Sequence, residues 1–574
     1  MPNEDSPSPG AVGRAVDVAV VGSGAAGLTA AIVARLLGLE VAVFEKDALV
    51  GGTTAISGGV LWVPLSRHGR AQNPADSVAQ VEQYLRSELG PLYDAAEVAA
   101  FLRSGPEMLE FLERRTCVQF VPSAYPDYHA EAPVGAPVGR AVVARPFDLR
   151  ALGRERRRLR PPLATITFLG MMFNSSNAEL RHFFEATRSL RSFVFVARRL
   201  LVHLFECVRH GGSVRATGGN ALAARLLKAA CDLQIPVHTG SAVTALLRTG
   251  GRVAGVEIAS AQGPACVQAR RAVVLATGGF SHDRALVHER FVQRVGSTAP
   301  HSVAPPSITG DGIRLARSAG AHMAPPRRQP AAWMPMSLVP QRGGPALPFP
   351  HLLDRYKPGV IAVLADGRRF TNEANSYHDV GEAAIAHCAG REAVCWLVCD
   401  HTAIRKYGLG HAKPFPLPLR PHLRSGYLRR APTLEALGAA LGIDGAALAA
   451  TVAAFNEPAR SGRDPAFGRG EAAFNRYLGD PAHRPNPCVA PIERPPFYGI
   501  RLTIGDLSTY DGIQTDPQGR ALGPDGAVLP GLHVVGADRA SMMGGAYPGP
   551  GINHGPHMAM AYAAALSIAN EPDP

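Results

Sequence analysis

Gly22, Gly24 and Gly27 stand in the spacing G-x-G-x-x-G, and Glu45 closes the next apolar run. That spacing suits one task, holding a dinucleotide by its pyrophosphate. The first glycine permits a tight turn, the second lets backbone close on the phosphates, and the third lets a helix lie against a strand. The helix start at Ala25 and Ala26 offers free N–H groups to the anion. Glu45 stands where a carboxylate can bind a ribose hydroxyl. The same glycines could make a tight turn with no ligand. The order of Val16–Val21 as strand, turn, small-residue helix, Val41–Phe44 as strand, and acid favours the cradle.

The residues after Glu45 discriminate between dinucleotides. Lys46 to Gly59 contains Gly51, Gly52, Thr53, Thr54, Ser57, Gly58 and Gly59. Such a run packs small groups and backbone donors against something flat and polar. An NAD enzyme would start its third strand there, so the stretch suits FAD. Two later apolar runs end in turns that can return to the same cradle. One ends at Thr277-Gly278-Gly279, the other, Gly531 to Asp538, at Gly536-x-Asp538. Asp538 is expected to meet the ribityl chain or to cap the next helix. Val243 and, before the last helix, Gly551 and Ile552 complete the expected cofactor contacts.

These elements imply an α/β fold: a discontinuous Rossmann-like FAD-binding domain with an inserted α+β substrate (catalytic) domain. The expected division is 15–305 for the first part of the FAD-binding domain, with a helical extension at 140–210, 306–499 for the substrate domain, and 500–574 for the second FAD-binding part. A chain of 574 residues, 46% hydrophobic and 18% charged, can bury two or three cored domains. The net charge of +12 comes mainly from local arginine clusters. No zinc finger, base-reading helix or basic–aromatic interleaving accompanies it, so nucleic acid is not an expected partner. An anionic membrane or acidic partner suits the charge better.

The eight cysteines form no C-x-x-C and no zinc or iron–sulfur spacing, so no metal site is expected. Scattered thiols suggest a reduced, cytoplasmic setting, with a peripheral place at the inner membrane face as the alternative. Met1 to Arg14 is polar and reads as a disordered tail, not a signal peptide. Residues 190–208 form an apolar helical run broken by Arg198, Arg199 and His203, next to the basic run Arg154 to Arg160. It reads as a core helix with a solvated arginine edge or as a membrane-surface helix.

Two segments concentrate unusual residues, GRRFTNEANSYHD at 367–379 and GGAYPGPGINHGP at 544–556. With the FAD segments they resemble the fumarate reductase and succinate dehydrogenase flavoprotein superfamily. Within it the chain is most similar to the FAD-dependent 3-ketosteroid dehydrogenases, especially the Δ1 enzymes. The similarity extends through Tyr125–Pro133, Thr309–Gly312, Pro496–Asp516 and Tyr547–Gly551. Fumarate reductases carry a proton-delivering arginine four residues after the glutamate of N-E. Here Tyr377 takes that place after Glu373, and a phenol cannot pair with a carboxylate as a guanidinium does. The substrate is therefore expected to be a neutral ketone.

The resemblance implies that Tyr547 and the Gly551 N–H hold the ketone oxygen and that Tyr377 removes the adjacent proton, its pKa lowered by neighbours. It also implies that a second tyrosine, Tyr128 with Tyr125 in reserve, supports Tyr377. Each tyrosine could instead be a packing residue. The implied reaction is Δ1-desaturation of a 3-ketosteroid, with a quinone or carrier as electron acceptor. Alternatives are a Δ4-(5α)-dehydrogenase, an enoate reductase, and an FAD-binding protein without turnover. Asn553 and His554 depart from the Δ1 pattern.

Overall fold

The computed structural model describes residues 15–172, 182–183, 186, 189–295, 301–388 and 390–571. The expected tail at 1–14 and part of the 140–210 extension lie outside them.

Strand β1 (Ala15–Val21) leads into helix α1 (Ala25–Leu36) and strand β2 (Val41–Phe44). Both strands are apolar along almost their whole length because helices cover both faces of the sheet. Gly22, at φ +106°, makes the turn; a Cβ there would stand 2.2 Å from the Ala276 carbonyl oxygen. A Cβ on Gly27 would stand 2.1 Å from the Gly22 carbonyl oxygen, so α1 can pack this closely only with glycine there.

The chain next forms a three-stranded sheet from Val60–Trp62, Phe120–Pro122 and Ala141–Ala144. Helix α2 (Leu190–His210) starts at Ser189, whose hydroxyl accepts from the Ser192 N–H, and stops at Gly211 in the left-handed region. It is an α-helical part of the expected extension. Residues 149–158 are tighter 3₁₀ turns.

Strand β3 (Val237–His238) pairs with β2, and β4 (Ala242–Thr249), β5 (Arg252–Ser260) and β6 (Gly263–Leu275) form a meander. The end of β6 then runs parallel to β1, and β14 (Val528–Val534) runs parallel to β6. The short strand β13 (Arg520–Leu522) closes that edge against β14, giving the order β13-β14-β6-β1-β2-β3. The final helix α4 (His554–Asn570) packs against α1.

A second, wholly antiparallel sheet has the order β8-β7-β12-β10-β9, from β7 (Ala331–Gln341), β8 (Gly344–Pro350), β9 (Val360–Val363), β10 (Val394–Cys399) and β12 (Phe497–Thr509), with β11 (Arg429–Ala431) beside β12. A division at residue 500 would cut β12, whose whole length pairs within this sheet; the chain rejoins the first sheet at Arg520. Helix α3 (Tyr377–Cys388) packs on β7.

Candidate active site

One cavity of about 840 Å³ runs from the glycine turn to a cluster of tyrosines. Gly22, Gly24, Ala25 and Ala26 line one end, with Glu45, Lys46, Gly52, Thr53, Thr54, Ser57, Gly58 and Gly59 continuing the wall. Val243, Thr277, Gly278, Gly536 and Gly551 complete it. Of the residues expected to hold a cofactor, Gly27, Asp538 and Ile552 stand behind this wall.

Asp538 is fully buried, and its carboxylate accepts from the Thr277 N–H at 2.5 Å, the Thr277 hydroxyl at 2.9 Å and the Gly279 N–H at 2.8 Å. It fixes the turn that presents Thr277 and Gly278. Burial raises its pKa to about 6 against these hydrogen bonds.

Glu45 accepts from the Ser23 N–H at 2.9 Å, the Ser23 hydroxyl at 2.6 Å and the Asp47 N–H at 2.9 Å. A carboxylate has about four lone-pair positions, so it can still accept from a ribose hydroxyl. Lys46 reaches Thr309 at 2.6 Å and Asp311 at 2.7 Å, which draws the Thr309-Gly-Asp-Gly segment over the cavity. The lining suits a long dinucleotide. Glycine backbone and a helix N-terminus would meet its phosphates, and Asn553 Oδ1 is buried without a hydrogen-bond partner among the described residues.

At the other end, the hydroxyls of Tyr377 and Tyr547 lie 2.6 Å apart, and Tyr128 donates to Tyr377 at 3.3 Å. The Tyr128 ring stacks on Tyr547 at 5.5 Å between centroids, and Tyr377 meets both edge-on. Tyr377 is the first residue of α3. Tyr547 lies on the glycine-rich loop before α4, and Tyr128 is held to that loop by its N–H on the Pro548 carbonyl at 2.9 Å. Tyr125 also lines the cavity, but its ring packs on Tyr477 at 4.6 Å.

Polar contacts behind the rings fix these positions. His378 accepts from the Trp333 N–H at 3.1 Å and meets the Gly545 carbonyl at 3.1 Å. That pair of contacts puts the ring proton on Nε2 and holds the Tyr547 loop. His129 bridges Glu88 at 2.7 Å and Asp379 at 3.1 Å; these hydrogen bonds outweigh its burial and raise its pKa to about 11. The imidazolium thus ties the Tyr128 loop to the helix of Tyr377. Asp127 accepts from the Trp62 indole at 2.8 Å and from Arg140 at 2.8 Å.

The neighbours do not lower the phenol pKa values. Burial pushes Tyr377 and Tyr128 well above the ordinary phenol value, and Tyr547 up to about 12. None of the groups shifting Tyr377 is a cation, which is why the expected lowering is not found. Gly551 accepts from the Trp62 N–H at 3.1 Å, while its own N–H takes no partner among the described residues. His554 lines the cavity 3.5 Å from the Ser57 hydroxyl, and burial lowers its pKa to about 4, so it is neutral near pH 7.

The model of the FAD binding domain family matches residues 17–553. This chain belongs to that family. It is 39% identical over 558 residues to 4-oxocyclohex-2-ene-1-carboxylate 5-dehydrogenase of Sinomonas cyclohexanicum, covering 97% of this chain and 94% of the relative. It is 36% identical over 575 residues to a 3-oxosteroid 1-dehydrogenase of Mycobacterium tuberculosis, with 97% and 98% covered. Its fold superposes on the 3-ketosteroid Δ1-dehydrogenase of Sterolibacterium denitrificans, solved with 1,4-androstadiene-3,17-dione, at a TM-score of 0.89 and 32% identity; 97% of this chain and 100% of that one are covered. The FAD-binding protein is accordingly an FAD-dependent oxidoreductase of the 3-ketosteroid dehydrogenase family.

The sequence offered little sign of several lining residues. Arg160, paired with Asp47, together with Ser241, His557 and Lys413 come from separate loops and helices. Lys413 lies 5.1 Å over the Phe349 ring and makes no ion pair among the described residues; burial lowers its pKa.

Proposed function

We propose that this enzyme introduces a C=C bond beside a ring ketone, with Δ1-desaturation of a 3-ketosteroid as the reaction. The observation that carries the reading is the three-tyrosine cluster at one end of the cavity whose other end is the dinucleotide cradle. The Tyr547 hydroxyl and the free Gly551 N–H are donors for the ketone oxygen. Hydrogen bonds there favour enolate character and acidify the adjacent carbon. Tyr377, once ionised to the phenolate with the Tyr128 hydroxyl donating to its oxygen, takes the proton from that carbon and becomes the neutral phenol. Placement at the start of α3 also favours negative charge on Tyr377. The Gly22–Ala26 turn and Glu45 would hold FAD, which when bound would supply the two-electron oxidation that removes hydride from the neighbouring carbon. A quinone or carrier protein takes the electrons onward.

The steroid class rests on apolar walls from Phe168, Leu352, Leu353, Leu417, Phe474 and Leu478, and on the named relatives. The test is anaerobic addition of 4-androstene-3,17-dione to the FAD-loaded protein. The oxidised flavin band should bleach as the 1,4-diene forms. Bleaching only with a 5α-3-ketosteroid would move the reaction to C4–C5.

A second reading, a small ring ketone bearing a carboxylate, is favoured by Lys413. A half-buried ammonium without a carboxylate partner among the described residues suits an anionic substituent at the far end of the ring. The oxocyclohexene carboxylate relative has such a substrate in its name. Bleaching by 4-oxocyclohexanecarboxylate, lost in Lys413→Met, would support this reading; an unchanged response in the variant would remove it.

A further inference from the structure

Helix α2 presents three different faces. Leu190, Val194, Leu201, Leu204, Phe205 and Val208 follow helical spacing along one side, and all are exposed. Val208 is 82% exposed, Leu190 79% and Leu201 68%, where a helix packed on a core would bury its apolar stripe. A flank of exposed arginines, Arg191, Arg198 and Arg209, runs beside the stripe at the same spacing. On the opposite flank Phe193, Val196, Ala197 and Leu200 line the active-site cavity. Ser192 and His203 are the helix residues buried against the protein.

The charge around the stripe has one sign. Glu206 is the helix's acid, and it is turned back to accept from the Val214 N–H at 3.2 Å. The basic run at 154–158 is anchored beside the helix C-terminus, because Arg156 donates to the carbonyls of His210 at 3.3 Å and Ser213 at 3.2 Å. That contact brings the exposed Arg154 and Arg157 to the same surface. Among the described residues, no helix is long and apolar enough to cross a membrane. An apolar stripe bordered by arginines on a helix that does not cross is the pattern of a helix lying in a bilayer interface. A second copy of the chain fits less well, since pairing the stripes would bring the arginine flanks together.

We propose that α2 docks on an anionic bilayer, and that its inner flank gives a hydrophobic ketone a path from the lipid into the cavity. The path, though not the docking, rests on the proposed hydrophobic substrate. In the docked state the apolar stripe enters the acyl boundary and the arginines meet lipid phosphates. The cavity wall formed by Phe193, Val196 and Leu200 then faces the membrane edge.

The test floats full-length, FAD-loaded protein with phosphatidylcholine vesicles, with and without phosphatidylglycerol. Binding should require phosphatidylglycerol, weaken above about 0.1 M salt, and fall roughly fivefold for each of Arg191, Arg198 and Arg209 changed to glutamine. The Leu201→Ser/Phe205→Ser/Val208→Ser variant should lose binding at least tenfold, keep its flavin spectrum, and turn over cyclodextrin-delivered ketone at the parent rate. Its rate with vesicle-loaded ketone should fall. No flotation of the parent, or equal flotation of the serine variant, would overturn the docking. A dimer in light scattering that this variant abolishes would overturn it in favour of a second copy. Flotation without turnover of any ketone would leave the docking standing and count only against the proposed reaction.

Discussion

Replacing Tyr377 by phenylalanine tests the central chemical step with little disturbance of packing. The ring would stay at its edge-on contacts, 5.8 Å from Tyr128 and 5.1 Å from Tyr547 between centroids. Only the hydroxyl is lost, and with it the partner of Tyr547 at 2.6 Å and of Tyr128 at 3.3 Å. Leaving buried hydroxyls short of a partner costs about 1–3 kcal/mol, small enough for the protein to fold and bind FAD. The loss of a positioned general base costs on the order of 10²–10⁴ in rate. Anaerobic stopped-flow of flavin bleaching should therefore slow by about that factor at unchanged flavin content. Deuterium on the carbon that loses the proton should give a larger isotope effect in the variant, because proton removal becomes more fully rate-limiting. A bleaching rate within a few-fold of the parent, at equal FAD content, would refute Tyr377 as the base.

Three further outcomes follow from the same geometry. Because burial holds Tyr377 well above the ordinary phenol value, flavin reduction should speed up about tenfold per pH unit from pH 7 to 9; a plateau near neutrality in that profile would contradict a phenolate base. Glu373 is fully buried between Arg369 at 2.7 Å and Arg469 at 2.9 Å. Glu373→Gln should cost about 3–5 kcal/mol, seen as a lower Tm, with turnover per bound FAD nearly kept. His533, buried in β14 away from the cavity, has its pKa lowered by burial from 6.5 to about 4. The unfolded chain takes that proton first, so stability is whole above pH 6.5 and falls by about 3 kcal/mol as the pH drops toward 4. In His533→Leu, urea unfolding between those pH values should show a flatter dependence.

The FAD-binding half was legible because local rules wrote it. Gly22 and Gly27 are where backbone atoms leave no room for a Cβ, and β1 and β2 are short apolar runs of the kind a covered parallel sheet needs. The boundary at 500 was not legible, because β12 is an apolar strand whose partners β7 and β10 are distant in sequence. The tyrosines were found through resemblance, and the structure brings Tyr128, Tyr377 and Tyr547 within hydrogen-bonding distance. Their raised pKa values depend on surroundings that no local pattern reveals. Lys413 and the Lys46–Asp311 pair are products of tertiary folding and left no mark in the sequence. The 190–208 helix was legible as a helix, but which residues it buries was settled only by its neighbours.

The cradle and the tyrosine cluster share one chamber, and that has a kinetic consequence. On the proposed reaction, ketone and electron acceptor would use the same reactive ring through that one chamber, and would take turns there. The desaturated product would then leave before the acceptor arrives, and the cycle would have two half-reactions without a shared ternary complex. Double-reciprocal plots at several acceptor concentrations would then be parallel lines. Excess ketone would inhibit by occupying the reduced enzyme, and the supply of acceptor, not the chemistry at Tyr377, would set the flux whenever substrate is plentiful.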